Sequence, residues 1–563
     1  VTRPADYPPP FGTRDAIAAP SDPDDERIDV GVLIVGAGPA GLACAIRLGQ
    51  LLADSPETAE RLGDVPVAVL EKGKAPGSHL LSGAVVNPRG LRRLFRGRMQ
   101  LADLPLFGEV QSEAVYFLRP RSSVRIPAPP TMRNHGNYVA SLSQLGRWLG
   151  EQAEEAGATI LPETPAARLL VTDGRVRGVR TGDKGRGRNG EQLPNFEPGS
   201  DLVARVTVLA EGTQGHLTGA AIRHFGLEGE NPQVWALGVK EVWRVARPLR
   251  RVIHTMGWPL RSAAKYREFG GSFIYPMGED MITLGMVVGL DYRDVELSPH
   301  DLLQELKTHP KLRRILDGGE RVAWGAKTIP EGGLLSVPSR LHAPGLLLCG
   351  DGAGLVNVPA LKGIHYAIES GRLAAEAAFA ALQPGQTPWT PGALAVYDDS
   401  LRQSFVWRDL EAVRNMRQAF GRGFWLGAAL AGAMTASRGK FPPTDLRTEP
   451  DSEVELLRSG RARRYPRPDG QLTFDKLSSV YLSGNRTRDD QPNHIRIQRR
   501  VPRELGELWV RMCPAQVYEL GGGDGEVEVG ITPSNCVQCG AISARGGRLT
   551  PPEGGSGPEY TLT

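Results

Sequence analysis

The chain has 563 residues, 40% of them hydrophobic and 23% charged, enough apolar material for roughly two to four domains and too much for a disordered protein. A formal charge of +4 (67 basic minus 63 acidic residues) argues against a nucleic-acid partner, and five cysteines are too few for a disulfide framework. No run reaches the ~18–20 apolar residues of a spanning helix. The first 26 residues are rich in Pro, Asp and Ala without an apolar core, which predicts a disordered tail with no secretory signal and an intracellular protein.

In chain order, Ile28–Val35 reads as a buried strand, Gly36-Ala-Gly-Pro-Ala-Gly41 as a glycine turn and Leu42–Leu52 as a helix. Val65–Leu70 is a second strand, ending at Glu71; together they make one βαβ unit. A helix is predicted over Leu142–Ala156, with strands at Thr159–Leu161, Leu169–Val171 and Arg175–Arg180. A polar surface loop follows over Asp183–Asp201, then a β run at Val206–Ala210. Strands recur between residues 236 and 290, including Gly271–Tyr275 and Met281–Val288. Leu346–Cys349 is a further strand, Gly363–Ala381 a helix and 400–440 helical, before a loop-rich, cysteine-bearing end.

Gly36-x-Gly38-x-x-Gly41 between a strand and a helix is a dinucleotide fingerprint in its proper setting. Gly36 permits the turn, Gly38 the approach of a pyrophosphate and Gly41 close helix–strand packing, while the helix N-terminus favours the anion. Glu71 is the carboxylate for the ribose hydroxyls, displaced along the chain by the polar insert Ala53–Asp64. Thr207–Thr213 and Leu347-Leu-Cys-Gly-Asp-Gly-Ala353 resemble later segments of glutathione-reductase-type flavoproteins. That resemblance gives Gly350 and Asp351 to the ribityl chain and makes the dinucleotide FAD. No second intact fingerprint offers a nicotinamide domain.

Motifs spanning the chain carry a more specific likeness. They include Glu71-Lys-Gly73, His79-Leu-Leu-Ser-Gly-Ala84, Arg133-Asn-His-Gly-Asn-Tyr138, Thr255-Met-Gly-Trp-Pro-Leu260 and Gly270-Gly-Ser-Phe-Ile-Tyr275. Gly289-Leu-Asp-Tyr292, Asn357-Val-Pro, Lys362-Gly-Ile-His365, Val413-Arg-Asn415, Ser479–Gly484 and Cys513-Pro-Ala-Gln-Val-Tyr-Glu519 continue in the same order. By these motifs the chain resembles the electron-transfer flavoprotein:ubiquinone oxidoreductase family. The resemblance implies an α/β (α+β overall) fold: a glutathione-reductase-type FAD domain, an interleaved antiparallel quinone-binding domain and a C-terminal ferredoxin-like iron–sulfur domain. It implies FAD segments at 27–115, 141–235 and 329–400, quinone segments at 116–140 and 236–328, a helical membrane contact at 401–440 and the iron–sulfur domain at 441–563. Lys72, Ser82, Gly83 and Asn357 join the FAD contacts, and Gly270 and Gly271 face the quinone head group. The implied partners are an electron-transfer flavoprotein and ubiquinone or menaquinone, at the cytoplasmic face of a bacterial inner membrane. No protein general base is expected, since the cofactors supply the chemistry.

Phe424–Ala436 is apolar, with Arg414, Arg417, Arg422, Arg438 and Lys440 around it. At ~20 Å it is too short to cross a bilayer; its composition suits either a core helix or a segment dipping into the headgroup boundary, and the resemblance, which implies a protein seated in one leaflet, favours the second. Gly90–Phe107, mixing Leu91, Leu94 and Phe95 with Arg92, Arg93, Arg96 and Arg98, is a second candidate. Arg458–Arg467 is a basic cluster for an acidic partner or anionic lipid. Cys44 and Cys349 are expected as buried thiols. The resemblance makes Cys513, Cys536 and Cys539 cluster ligands, but the fourth position in register is Ile542. Four thiolates are the usual set for [4Fe–4S]. The options are a three-iron cluster, a four-iron cluster with an oxygen such as that of Ser543 or an exogenous ligand, no cluster, zinc with His494, or a redox pair. Two other functions stay open: a prenyl-lipid reductase or hydroxylase of the same superfamily, and a non-catalytic scaffold with a zinc-bearing tail.

Overall fold

The computed structural model describes residues 2–21, 27–96, 100–459, 462–523 and 525–563. Its first layer is a nine-stranded sheet whose middle runs parallel: Thr159–Leu161, Val67–Leu70, Arg27–Val35, Asp201–Leu209 and Leu346–Leu348. The last six residues of Arg27–Val35 are all buried, as a parallel strand covered on both faces requires. Helices Pro39–Ala53 and Ile364–Ala381 pack together over this sheet.

A second sheet of seven strands runs in the order Glu320–Pro330, Trp235–Arg244, Met281–Gly289, Gly270–Met277, Val252–Gly257, Glu113–Arg119 and Ser122–Ile126. It is antiparallel, as expected, with one parallel pairing, that of Val252–Gly257 with Glu113–Arg119. Alternation along Trp235–Arg244 divides its faces. Val239, Glu241 and Trp243 face one way, Gly238 and Lys240 the other. Glu241 meets Lys307, at 2.8 Å, and Arg321, at 3.4 Å, from a helix and a strand. Although burial disfavours its charge, these two cations hold its carboxyl down to about 2.

The C-terminal region is built from the helix Arg503–Met512, the short strands Arg500–Pro502, Glu526–Ile531 and Tyr518–Leu520, and the pair Ile495–Arg496 with Arg548–Leu549. Trp509, Cys513 and Val537 share one apolar core with Leu237 and Trp324 of the seven-stranded sheet.

Three expectations need correction. In the segment taken as a disordered tail, residues 22–26 lie outside the described residues, but Pro4–Asp6 and Thr13–Ala16 form short helices and Ile17–Ala18 pairs with Leu169–Leu170. The cause is contact with distant residues: Leu456 N donates to Thr2 O and Gln498 Nε2 to Pro8 O. The loop 183–201 contains a hairpin, Lys184–Arg186 with Gln192–Glu197, tied down where Arg488 donates to Arg186 O and Glu553. The basic helix Arg89–Phe95 belongs to the core, since Leu91, Leu94 and Phe95 are buried and Arg93 pairs with Glu369 at 2.7 Å. Arg98 lies outside the described residues.

Candidate functional site

Between the two sheets lies a cavity of about 1300 Å³. At one end the turn 36–41 begins it. Gly36 has φ +108°, and a Cβ on Gly41 would sit 2.0 Å from Gly36 O, so the helix approaches the strand as closely as the fingerprint requires. A Cβ on Gly38 would meet only Leu80, at 3.8 Å, and would project into the cavity. Glu71 accepts from Ala37 N at 3.2 Å and Gly73 N at 2.7 Å, which fixes its carboxylate at the cavity wall. Burial raises its pKa against those two donors. Lys72, Ser82, Gly83, Gly350 and Asp351 also line the space, and burial lifts Asp351 to about 6. A backbone cradle at a helix N-terminus with a carboxylate at the second strand's end is a fit for FAD.

Asn357 is different. Its Nδ2 donates to Tyr366 Oη and Asp409 O, its Oδ1 accepts from Ala360 N, and it does not line the cavity. Its direct cofactor role is therefore withdrawn. It shapes the 357–362 loop, which delivers Lys362 to the cavity wall.

Further in, Gly270 and Gly271 form part of the wall. Gly270 has φ +148°, and a Cβ there would lie 2.0 Å from Val287 O, so only glycine holds this edge of the strand. At the far end the cavity is apolar and reaches the surface beside Val124 and Trp425. The helix Phe424–Ala436 buries only Gly427 and Met434, leaving Trp425 64% and Leu426 52% exposed. No helix among the described residues is long and apolar enough to cross a membrane. Arg417, taken from sequence as a basic flank, is instead buried between Asp291 at 2.7 Å and Glu331 at 2.8 Å. Arg463, in the other basic cluster, is likewise paired, with Glu268; residues 460–461 of that cluster are outside the described residues.

Sequence reasoning named Lys72 and missed three further lysines beside it. Lys72, Lys240, Lys327 and Lys362 all line the cavity, and among the described residues the hydrogen bonds of their ammonium groups go to neutral acceptors. Lys240 donates to Ser82 O at 2.6 Å and Lys362 to Ala360 O at 3.2 Å. Lys72 donates to Gln538 Oε1 at 2.6 Å and Lys327 to Gln538 O at 3.2 Å. Burial pushes Lys240 and Lys327 down to about 7 and Lys362 to about 8. A lysine in the middle of the apolar run Trp235–Arg244 was the available signal for Lys240.

Gln538 leads to the cysteines. Cys513, Cys536 and Cys539 line a second, small cavity together with Ile542. Burial lifts all three thiols, Cys539 to about 12. The donor set fits three corners of a cluster, in which each thiolate binds a separate iron. Ile542 faces the same space, and Ser543 is not there: its Oγ accepts from Leu549 N at 3.0 Å. Ser543 is therefore dropped as a substitute ligand. His494 is buried with neither ring nitrogen partnered, and it does not line this cavity. Among the described residues no three His, Cys, Asp or Glu side chains converge on one metal-ion position, so the zinc arrangement has no support. Cys44 and Cys349 are fully buried, as expected.

Comparison with known proteins agrees with this geometry. A family model described as "ETF-QO, ubiquinone-binding" matches residues 235–329, and one described as "Electron transfer flavoprotein-ubiquinone oxidoreductase, 4Fe-4S" matches 470–561. The chain is 40% identical to the mitochondrial electron transfer flavoprotein-ubiquinone oxidoreductase of Arabidopsis thaliana, over 95% of this chain and 85% of that one. It is 36% identical to a probable electron transfer flavoprotein-ubiquinone oxidoreductase of Acinetobacter baylyi, over 95% and 98%. Among solved structures, a geranylgeranyl bacteriochlorophyll reductase-like protein from Thermoplasma acidophilum superposes with a TM-score of 0.55 at 18% identity, over 75% of this chain and 93% of that one. That likeness concerns the fold.

Proposed function

The chain belongs to the electron transfer flavoprotein-ubiquinone oxidoreductase family, and from that premise we propose how its residues divide the work. The enzyme passes electrons from electron-transfer flavoprotein to ubiquinone, using FAD and a four-iron, four-sulfur cluster. When bound, these two groups supply the electron-carrying chemistry. Gly36, Gly38 and Gly41 admit the FAD pyrophosphate, Glu71 binds its ribose, and Ser82, Gly83, Gly350 and Asp351 line the flavin end. Gly270 and Gly271 leave room for the quinone ring. Phe424–Ala436 lies in one leaflet of the membrane, so that quinone enters from lipid past Trp425. The seat proposed is monotopic, on the cytoplasmic face of a bacterial inner membrane; the exposed apolar helix supports the monotopic contact.

One observation carries this reading: a single cavity joins the dinucleotide cradle, the two glycines and the exposed helix. The test is anaerobic reduction of a short-chain quinone by purified, flavin-loaded enzyme with reduced electron-transfer flavoprotein as donor. Turnover with that donor and none with NADH is expected; the reverse preference refutes the assignment.

The cluster has one finer feature. Cys513, Cys536 and Cys539 would hold the cluster through three thiolates, and the remaining ligand would come from solution, a reading supported by Ile542 at the fourth position in register and by Ser543 Oγ accepting from Leu549 N. An iron with such a ligand is labile. Protein prepared without oxygen should carry four irons and air-exposed protein about three, with the low-temperature EPR signal of an oxidised three-iron cluster. Four irons that persist in air would sink this reading.

A further inference from the structure

Reduction of a quinone to a quinol needs two electrons and two protons, and the electron carriers account only for the electrons. The strand Gly270–Met277 alternates, so Gly271, Phe273 and Tyr275 share the face that looks into the cavity. His254 pairs directly with Phe273 across the neighbouring strand and lines the same cavity. His254 and Tyr275 are 2% and 3% exposed, and His254 Nε2 lies 2.8 Å from Tyr275 Oη.

The hydrogen-bond economy of this pair decides where its protons sit. His254 Nδ1 is buried and has no partner. If Nδ1 carried the imidazole proton, an N–H donor would be buried unsatisfied, which is rare and costly. If Nε2 carries it, Nε2–H donates to Tyr275 Oη and Nδ1 is left as a bare acceptor. The neutral imidazole is the stable form, because burial drives the His254 pKa down to about 3. In that tautomer the Tyr275 hydroxyl accepts from histidine, and its own proton has no acceptor among the described residues. It must donate to whatever occupies the cavity. Gly83 keeps this position open to the flavin end as well: a Cβ there would lie 3.2 Å from the Tyr275 ring.

We propose that Tyr275 is the proton donor to the bound quinone and that His254 re-supplies it. The proposal rests on the family reading above. In each of two cycles the Tyr275 O–H bond breaks as an O–H bond forms on the quinone oxygen, and Tyr275 Oη takes the proton of His254 Nε2. As the Nε2–H bond breaks, Nδ1 takes a proton from a hydronium ion admitted through the cavity, leaving the Nδ1–H tautomer; release of that proton to water and return of one to Nε2 restore the pair before the second cycle, and the electrons come from the donor flavoprotein through the enzyme's own carriers. Lys362 lines the same cavity, and its charge acts on His254, favouring the neutral imidazole by repelling the charged one and stabilising by attraction any negative charge that develops on the substrate oxygen.

The experiment compares the parent with Tyr275→Phe and His254→Gln, each checked first for full flavin content. Tyr275→Phe should lower kcat for quinone reduction by about 10²-fold, as loss of a general acid does, with KM changed far less. The solvent deuterium isotope effect of the parent should disappear from its remaining rate. Reduction of the flavin by dithionite, which needs no quinone proton, should be unaffected. His254→Gln keeps a donor toward Tyr275 but cannot relay, and should show the same kcat loss at near-parental KM. Tyr275→Phe with parental kcat and isotope effect, or with a change in KM alone, overturns the proposal while leaving the family reading intact. A parent that reduces no quinone from reduced electron-transfer flavoprotein overturns both. If either variant loses its flavin, the solvent isotope effect on the parent decides: its absence refutes proton donation in the rate-limiting step.

Discussion

The large cavity and the small cysteine cavity are made in different ways. Backbone shapes the first: a glycine turn, a glycine-bearing strand edge and a helix N-terminus fix its walls, and a Cβ at Gly36, Gly41 or Gly270 would strike backbone. Side chains shape the second. Three thiols, Tyr518 and Ile542 enclose only about 20 Å³, and burial holds those thiols in their protonated form. Cluster binding must therefore displace protons, so its affinity rises with pH, whereas a backbone cradle has no such dependence. The contrast separates a site specified by conformation from one specified by ligand chemistry, and substitutions should separate them as well.

The largest effect is expected at the first. Gly38→Val places a branched side chain in the pyrophosphate approach, and flavin absorbance per protein should fall about tenfold or more, with cysteine-bound iron unchanged. Loss of both cofactors together would break the distinction. Cys536→Ala should do the converse, abolishing the EPR signal of the cluster while the protein stays yellow.

Next in size is the mouth of the large cavity. Replacing Phe424, Trp425 and Leu426 together by Ser should weaken association with lipid vesicles by roughly 1.5–3 kcal/mol for each large side chain that the parent inserts, without loss of FAD. Vesicle flotation equal to the parent's would return this helix to the protein interior. Behind the cavity floor, Glu241→Ala leaves Lys307 and Arg321 buried without a counter-charge and should cost about 3–5 kcal/mol in chemical denaturation. Because the folded carboxyl is held below its unfolded value, the contribution is present at neutral pH. It is lost as pH falls from about 4.3 through about 2. The smallest change is Ile542→Cys, which should raise the iron that survives air from about three to four per protein.

Features written in short stretches of chain were legible in the sequence. The fingerprint at 36–41, the carboxylate at Glu71 and the pair Gly350-Asp351 depend on local pattern, and all three line the cavity. Helix Phe424–Ala436 has the bounds its apolar composition suggests. What escaped depends on partners far away. Arg417 looked like a membrane flank because Asp291 and Glu331 lie more than eighty residues before it. Pro4–Asp6 looked disordered because its contacts come from the other end of the chain. Asn357 looked like a ligand because its motif does not reveal that Asp409 and Tyr366 already occupy it. The parallel pairing of Glu113–Arg119 with Val252–Gly257 could not be read from either strand alone.

One such distant partnership also constrains how the molecule is put together. Ser141 Oγ and Ser143 N, at the start of a flavin-domain helix, both donate to Thr563 O, while Thr563 Oγ donates to Leu80 O. Arg147 reaches Tyr560 O, and Tyr560 N reaches Ser78 O. The partners are separated by as many as 483 residues, so this clasp closes a very long loop and belongs among the slow, late contacts of folding. During synthesis the flavin half emerges and collapses while the segment that will cover Ser78–Leu80 does not yet exist. The wall of the cavity beside Leu80 is thus closed by residues 560–563, which are made long after it. Order of assembly is written into the topology: an open flavin cleft first, a seated cluster domain second, and a sealed passage between them only when both are in place.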